Sequence, residues 1–383
     1  MLKKLLIILL LGIGSLSAYL YWDYSGKRTV ITPYPYAFLN SFNKKYEETH
    51  ANEIKEAEFA KILIVGDRMG RTLDPYLQNL QDQFKDSFKT PPTIFNWSAE
   101  NESLFRTIRK LKRLKKLPPI IIYFGASSEL TEQRFDVRDK KSIYKNFKTF
   151  DDERLISLII TFPWMSKVLY NNVRYQDLGD YKEYKSFLAA SQKLEEKEIA
   201  FKLFEYEMNE FINLVKDKKS NLVLMTTPVN LEIEPREVCA HATNTDVIGI
   251  QQEIEAELKD GSYKSALPKT VELAAATPSN ARSFYLLGKA ALGSGDIKLA
   301  RESLLKASVF DCANWRGNAV YNAIMKAQAK KGQVHVIDFE QYMTSQLSND
   351  GLFFDEIVPQ NMFYQNMTKE LGDIIKKILS VNE

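Results

Sequence analysis

Cysteine and histidine are both scarce: two Cys and three His occur in 383 residues. His50, His241 and His335 are scattered, and Cys239 with His241 is too small a ligand set for a zinc cage. No metal and no cofactor is expected. Charge of one sign is also lacking, since 52 Lys and Arg face 49 Asp and Glu, for a formal net charge of +3. That balance argues neither for nor against an anionic partner, and no nucleic-acid binding is read from it. Glycine is missing over a long stretch, with none from Arg71 to Phe124. What is abundant is apolar and aromatic: 45% hydrophobic residues and 12% aromatics exclude a disordered chain.

The N-terminus has a defined pattern. Lys3 and Lys4 precede an apolar run from Leu5 to Trp22, which has the charge and length of a secretory signal or a single membrane-spanning helix. Small residues at Ser15, Ser17 and Ala18 would allow cleavage and release to the periplasm. The run nevertheless continues through Tyr19 to Trp22, with aromatics where a membrane interface would lie, which favours an uncleaved anchor over residues 1–22. Either way the folded region is expected outside the cytoplasm, held at an inner membrane through residues 5–22. Residues 23–55, polar and aromatic with Pro33 and Pro35, read as a stalk. Two Cys in an exported chain allow one Cys239–Cys312 disulfide; two separate buried thiols are the alternative.

Five short apolar runs come next: 61–65, 93–97, 119–124, 221–226 and a weaker 333–338. Continuous apolar strands separated by amphipathic helices predict a parallel sheet covered on both faces. The helix expected over 102–117 is rich in Arg and Lys. Its cations suit either a solvated face or a surface for anionic polymer or lipid. Residues 130–220 form an extended connection, with helices expected near 151–170 and 195–215 and an aromatic-rich middle (among it Phe162, Trp164 and Tyr181) suited to a lid or an interface.

Between the fourth and fifth strands the pattern changes. Leu287-Gly288, Ala291, Gly295, Ala300, Leu304 and Ala307 are spaced as in a 34-residue helical hairpin, and a step of 34 places Gly261 under Gly295 and Ala266 under Ala300. The segment resembles two tetratricopeptide units over 246–314. Two units are too few to stand alone and are expected to pack on the α/β part.

Four strand ends carry a further resemblance. Gly66-Asp67-Arg68 ends the first run, Ala99 to Leu104 follows the second, Tyr123-Phe-Gly-Ala-Ser-Ser-Glu129 ends the third, and Asp355-Glu-Ile-Val358-Pro359 stands near the C-terminus. In that order they resemble the blocks of the SGNH/GDSL hydrolases, over residues 56–245 and 315–383. The resemblance implies a flavodoxin-like three-layer sandwich with a five-stranded parallel sheet, here with the all-α insertion and the N-terminal helix. It also implies where the chemistry would sit: the nucleophile at Arg68, an oxyanion-hole Asn at Ser127, the base at Val358 and its orienting Asp at Asp355. A guanidinium is no nucleophile, and a valine carries no proton. The second-block Gly is absent.

The expectation is therefore a catalytically inactive hydrolase-like protein that binds or scaffolds in the cell envelope. Its partners would be a protein at the tetratricopeptide units and an envelope glycan. Arg68 is expected either to bind an anionic ligand or to pair with Asp67 or Asp355. Asp67, Arg68, Ser98, Ser127, Ser128, His241 and Asp355 are the candidate binding residues. The alternative is an esterase or O-acyltransferase with a relocated site, in which His241 is the base and Ser98, Ser127 or Ser128 the hydroxyl.

Overall fold

A computed structural model describes Leu9, residues 12–16, 51–85, 87–129, 189–239, 245–313, 316–347 and 351–380. The lid aromatics, His50, His241 and most of the expected anchor and stalk lie outside these residues. Among the described residues no helix is long and apolar enough to cross a membrane. The chain divides into a large compact unit (Thr49–Thr107, Leu114–Gln133, Leu178–Glu383) and a smaller one (Met1–Glu48, Ile108–Arg113, Arg134–Asp177). The large unit holds the whole sheet and all of the inserted helices.

Helix α1 (Ala51–Phe59) opens it, followed by strand β1 (Ile62–Val65), the single turn α2 (Arg68–Arg71) and α3 (Leu77–Lys85). Then come β2 (Ile94–Asn96), α4 (Leu104–Lys112, whose end belongs to the smaller unit) and β3 (Ile120–Phe124). The long α5 (Ala190–Asp217) leads to β4 (Asn221–Met225). Four helices are inserted after it: α6 (Thr245–Lys259), α7 (Tyr263–Ala276), α8 (Ala281–Gly293) and α9 (Ile297–Phe310). The chain ends with α10 (Ala319–Gly332), β5 (His335–Ile337), α11 (Phe339–Ser345) and α12 (Asn361–Ser380).

The five strands form one sheet in the order β2-β1-β3-β4-β5, and every pair is parallel. This is the flavodoxin-like doubly wound order, in which ligands bind beyond the C-terminal strand ends where the winding reverses, between β1 and β3. Alternation sorts the side chains. Ile62 and Ile64 of β1, with Ile120 and Ile122 of β3, join one core against Leu80 and Phe84 of α3 and Met367, Leu371 and Ile375 of α12. Tyr123 lies on the other face, where its ring meets Phe211 of α5 edge-on at 5.5 Å.

Some boundaries differ from the sequence-based expectation. The expected stalk is already helical from Ala51, because Ala57 is buried and Glu53 accepts a 2.9 Å hydrogen bond from the Trp97 indole. The basic helix is shorter than 102–117, and its Lys110 is 5% exposed, so its cations are not simply a solvated face. His335, the first residue of β5, is exposed.

The four inserted helices contact one another in succession, and small residues allow the approach. A Cβ at Gly288 would lie 2.5 Å from Leu304, and one at Gly293 would lie 2.2 Å from the Tyr263 ring. Both turns that the 34-residue step aligned hold glycine at positive φ, +76° at Gly261 and +86° at Gly295. At the base of these helices Cys239 and Cys312 form a disulfide, which replaces the alternative of two separate thiols. Backbone pairing brings them together: Val238 bridges Asp311, and the Cys312 N–H donates to the Glu237 carbonyl. The Lys197 ammonium, buried on α5, donates to the Val309 and Asp311 carbonyls.

Candidate functional site

The site lies at the C-terminal ends of β1 and β3. Strand β1 must turn there while touching its neighbour, and Gly66 permits this. Its φ is +141°, and a Cβ would sit 2.1 Å from the Phe124 carbonyl oxygen. The next residue, Asp67, caps α2: its Oδ1 accepts from the Met69 N–H at 2.9 Å. Oδ2 reaches across to the loop after β3 and accepts from the Ser127 N–H and hydroxyl, both at 2.7 Å, and from the Ser128 N–H at 2.9 Å. Ala126 at φ +79° bends that loop so that the two amides converge.

Asp67 is fully buried, and burial pushes its carboxyl above the ordinary value while the Ser127 hydroxyl and the three amides pull against that rise. The Ser127 hydroxyl, at the position where the resemblance puts an oxyanion donor, is thus spent on Asp67. Asp67 and Ser128 hold the two loops together from within.

Arg68 points the other way. Its guanidinium donates to Asp355 at 2.6 Å, and both side chains are partly exposed, 43% and 33%. Of the two pairings open to Arg68 in the sequence, the structure takes Asp355. The other oxygen of Asp355 accepts from the Ile357 and Val358 N–H groups at 2.7 and 2.6 Å. Two backbone bonds close the turn, Phe354 N–H to the Val358 carbonyl and Gln360 N–H to the Leu352 carbonyl. Partial burial alone would raise the Asp355 carboxyl, but these two amides and the Arg68 charge outweigh it and hold it below its usual value. Val358 is half-buried and packs against the core between α3 and α12.

Ser98, after β2, is buried with its hydroxyl unpartnered, and a Cβ at Gly70 would lie 2.1 Å from it. Gly70 thus admits Ser98 against α2, where its hydroxyl bonds neither Asp67 nor Arg68. His241 lies outside the described residues.

Further polar groups at this edge lie outside the four resemblance blocks and are not among the candidate binding residues. Asn230 after β4 donates to the Asp355 carbonyl at 3.5 Å, and its own carbonyl accepts from buried Arg316 at 2.6 Å. Arg316 also meets Asp311 at 3.3 Å, beside the disulfide. Asn322 of α10 exchanges two hydrogen bonds with the backbone of Thr227, whose hydroxyl donates to the Gly125 carbonyl. Arg316 and Asp311 flank Cys312 in the chain; opposite charges on either side of a disulfide cysteine are the nearest thing to a hint of that buried pair.

No protein-family model matches the chain, and no curated protein matches it in sequence. Two solved structures resemble it. One is the lipase/acylhydrolase from Enterococcus faecalis, at 12% identity and a TM-score of 0.33, over 83% of this chain and 96% of that one. The other is a protein named for acylhydrolase activity from Bacteroides fragilis NCTC 9343, at 12% identity and a TM-score of 0.35, over 87% and 98%. The doubly wound order of the sheet rests on the strand pairing of this chain alone.

Proposed function

We propose that this chain is a catalytically inactive SGNH-like protein that serves as a membrane-anchored binding or scaffolding component of the cell envelope. The observation that carries the reading is the Arg68–Asp355 ion pair over a half-buried Val358. Acyl transfer needs a nucleophile that loses a proton and a base that takes it. Arg68 holds its charge and offers no such atom, and Val358 has no titratable group. Asp355 is occupied by two amides and a guanidinium, and Ser127 by Asp67. These groups at the strand ends are engaged in joining loops to each other.

The anchoring part of the reading is supported by Lys3, Lys4 and the apolar run Leu5 to Trp22. The binding part is supported by four helices whose glycine turns repeat at the tetratricopeptide spacing, mounted on a disulfide-closed base. Such units are a surface for a protein partner, and an envelope glycan is the ligand class that the SGNH resemblance suggests. The test is hydrolysis of p-nitrophenyl acetate by the full-length protein in detergent, beside its His241→Ala variant. The expected result is no turnover above buffer for either. Turnover that disappears in the His241→Ala variant sinks the inactive reading in favour of a relocated esterase site.

A further inference from the structure

The opposite edge of the sheet bears no resemblance-derived residue, and its exposed charge is mostly positive. Because all five strands run parallel and in register, the residues leading into them line up along one rim. Lys61 leads directly into β1, and Lys115 and Lys116 stand before β3. Lys218 and Lys219 stand before β4, and Lys330 and Lys331 before β5. All seven are exposed, and among the described residues none has an ion-pair partner. Asp217 is an exposed acid among them, and Glu58 is taken up by the Lys115 N–H. Phe59, at the end of α1 two residues before Lys61, is 81% exposed.

The helix macrodipole favours cations here, since α5 and α10 end at this rim. It does not require that so many be left without neutralising partners, where like charges repel. Four strands at a spacing of about 4.8 Å put the row along roughly 15 Å. Lysine is a hydrated point charge on a flexible stem, suited to a diffuse anionic layer rather than to planar, bidentate recognition. Phe59 is the kind of side chain that enters the headgroup boundary beside such cations. The same chain offers a bilayer through Leu5 to Trp22, which 28 residues separate from Ala51.

We infer that this lysine rim, with Phe59, is a docking surface for the anionic phospholipid headgroups of a bilayer. The folded unit would then lie against the membrane by this edge and turn the Arg68–Asp355 edge away from it. The surface stands on the rim; only the presence of a bilayer nearby rests on the anchoring proposed above.

The test reconstitutes the full chain with vesicles of phosphatidylcholine, and with phosphatidylcholine plus phosphatidylglycerol, and measures amine acetylation residue by residue by mass spectrometry. Anionic vesicles should lower labelling of Lys61, Lys116, Lys219 and Lys331 by about 3-fold or more relative to zwitterionic ones, with recovery in about 0.5 M NaCl as screening shortens the electrostatic range. Lys264 and Lys298, exposed on the inserted helices, should label equally in both. A combined Lys218→Glu, Lys219→Glu, Lys330→Glu, Lys331→Glu variant should lose the protection of Lys61 and Lys116 while melting as the parent does. Equal labelling of the rim in both vesicles overturns the inference, as does equal protection of Lys264 and Lys298. Protection by a single-stranded oligonucleotide in solution with none on anionic vesicles also overturns it. Flotation with zwitterionic vesicles reports the anchor separately, so its failure leaves the rim result readable.

Discussion

The two edges of one sheet differ in what their polar groups do. At the C-terminal edge polar side chains are bound to backbone, most of it in other loops: Asp67 to 127 and 128, Asp355 to 357 and 358, Arg316 to 230, Asn322 to 227. At the N-terminal edge seven lysines extend into solvent without ion-pair partners among the described residues. In a doubly wound sheet the first edge is where helix N-termini and convergent amides make a binding site. Here those donors are turned inward onto carboxylates. These carboxylates join loops at one edge, and the exposed lysines, unpaired among the described residues, lie at the other.

The difference can be broken most severely at Asp67. Asp67→Ala leaves four donors facing an apolar hole, and is expected to cost on the order of 4 kcal/mol, read as a lowered denaturation midpoint. Asp67→Asn, which keeps the shape and one acceptor, should cost less. Equal stability of Asp67→Ala and the parent would mean that the C-terminal edge is not held by this residue.

The disulfide extends the same edge into the inserted helices. Replacing Cys239 and Cys312 together by Ser opens a loop with a sequence separation of 73 and should cost about 4 kcal/mol by chain entropy. The buried Arg316–Asp311 pair and the Lys197 contacts remain, so α6 to α9 should loosen in hydrogen exchange before the sheet does. Simultaneous loosening of sheet and insertion would make them one cooperative unit.

The smallest effect is at Arg68–Asp355. The pair is partly exposed, so Arg68→Ala should change stability by about 1 kcal/mol or less. Its pH dependence has a definite sign. The Asp355 carboxyl is held below its usual value, so its contribution is present above the unfolded pKa and disappears as pH falls below about 3.8 and through the depressed folded value. The protection factors of the Ile357 and Val358 amides against exchange should fall over that window, and in Arg68→Ala the onset should move to higher pH. An unchanged onset would assign the depression to the two amides alone.

Much of this was legible in order along the chain. Apolar runs of strand length ending at Gly66 and Gly125 placed the central strands within a residue or two. The 34-residue step located the glycine turns of the inserted helices. The edge strands were placed as closely, 93–97 against Ile94–Asn96 and 333–338 against His335–Ile337, although three residues each carry little period. Ala51–Phe59 was hidden in a polar segment, since its helix depends on burying Ala57 and bonding Trp97 to Glu53, partners 44 residues apart and invisible locally.

What the sequence by itself determined is the alternation of strands and helices, the glycines that close approach demands, and the residue types at the strand ends: Arg68 and Val358 are what they are in any fold. Only the tertiary structure decided which partner each takes. Asp67 and Asp355 are the same side chain, yet one is fully buried under four donors with its carboxyl pushed up, and the other is half-open to water with its carboxyl held down. Burial and the direction of neighbouring amides set that difference, and both come from the packing of loops far apart in the chain.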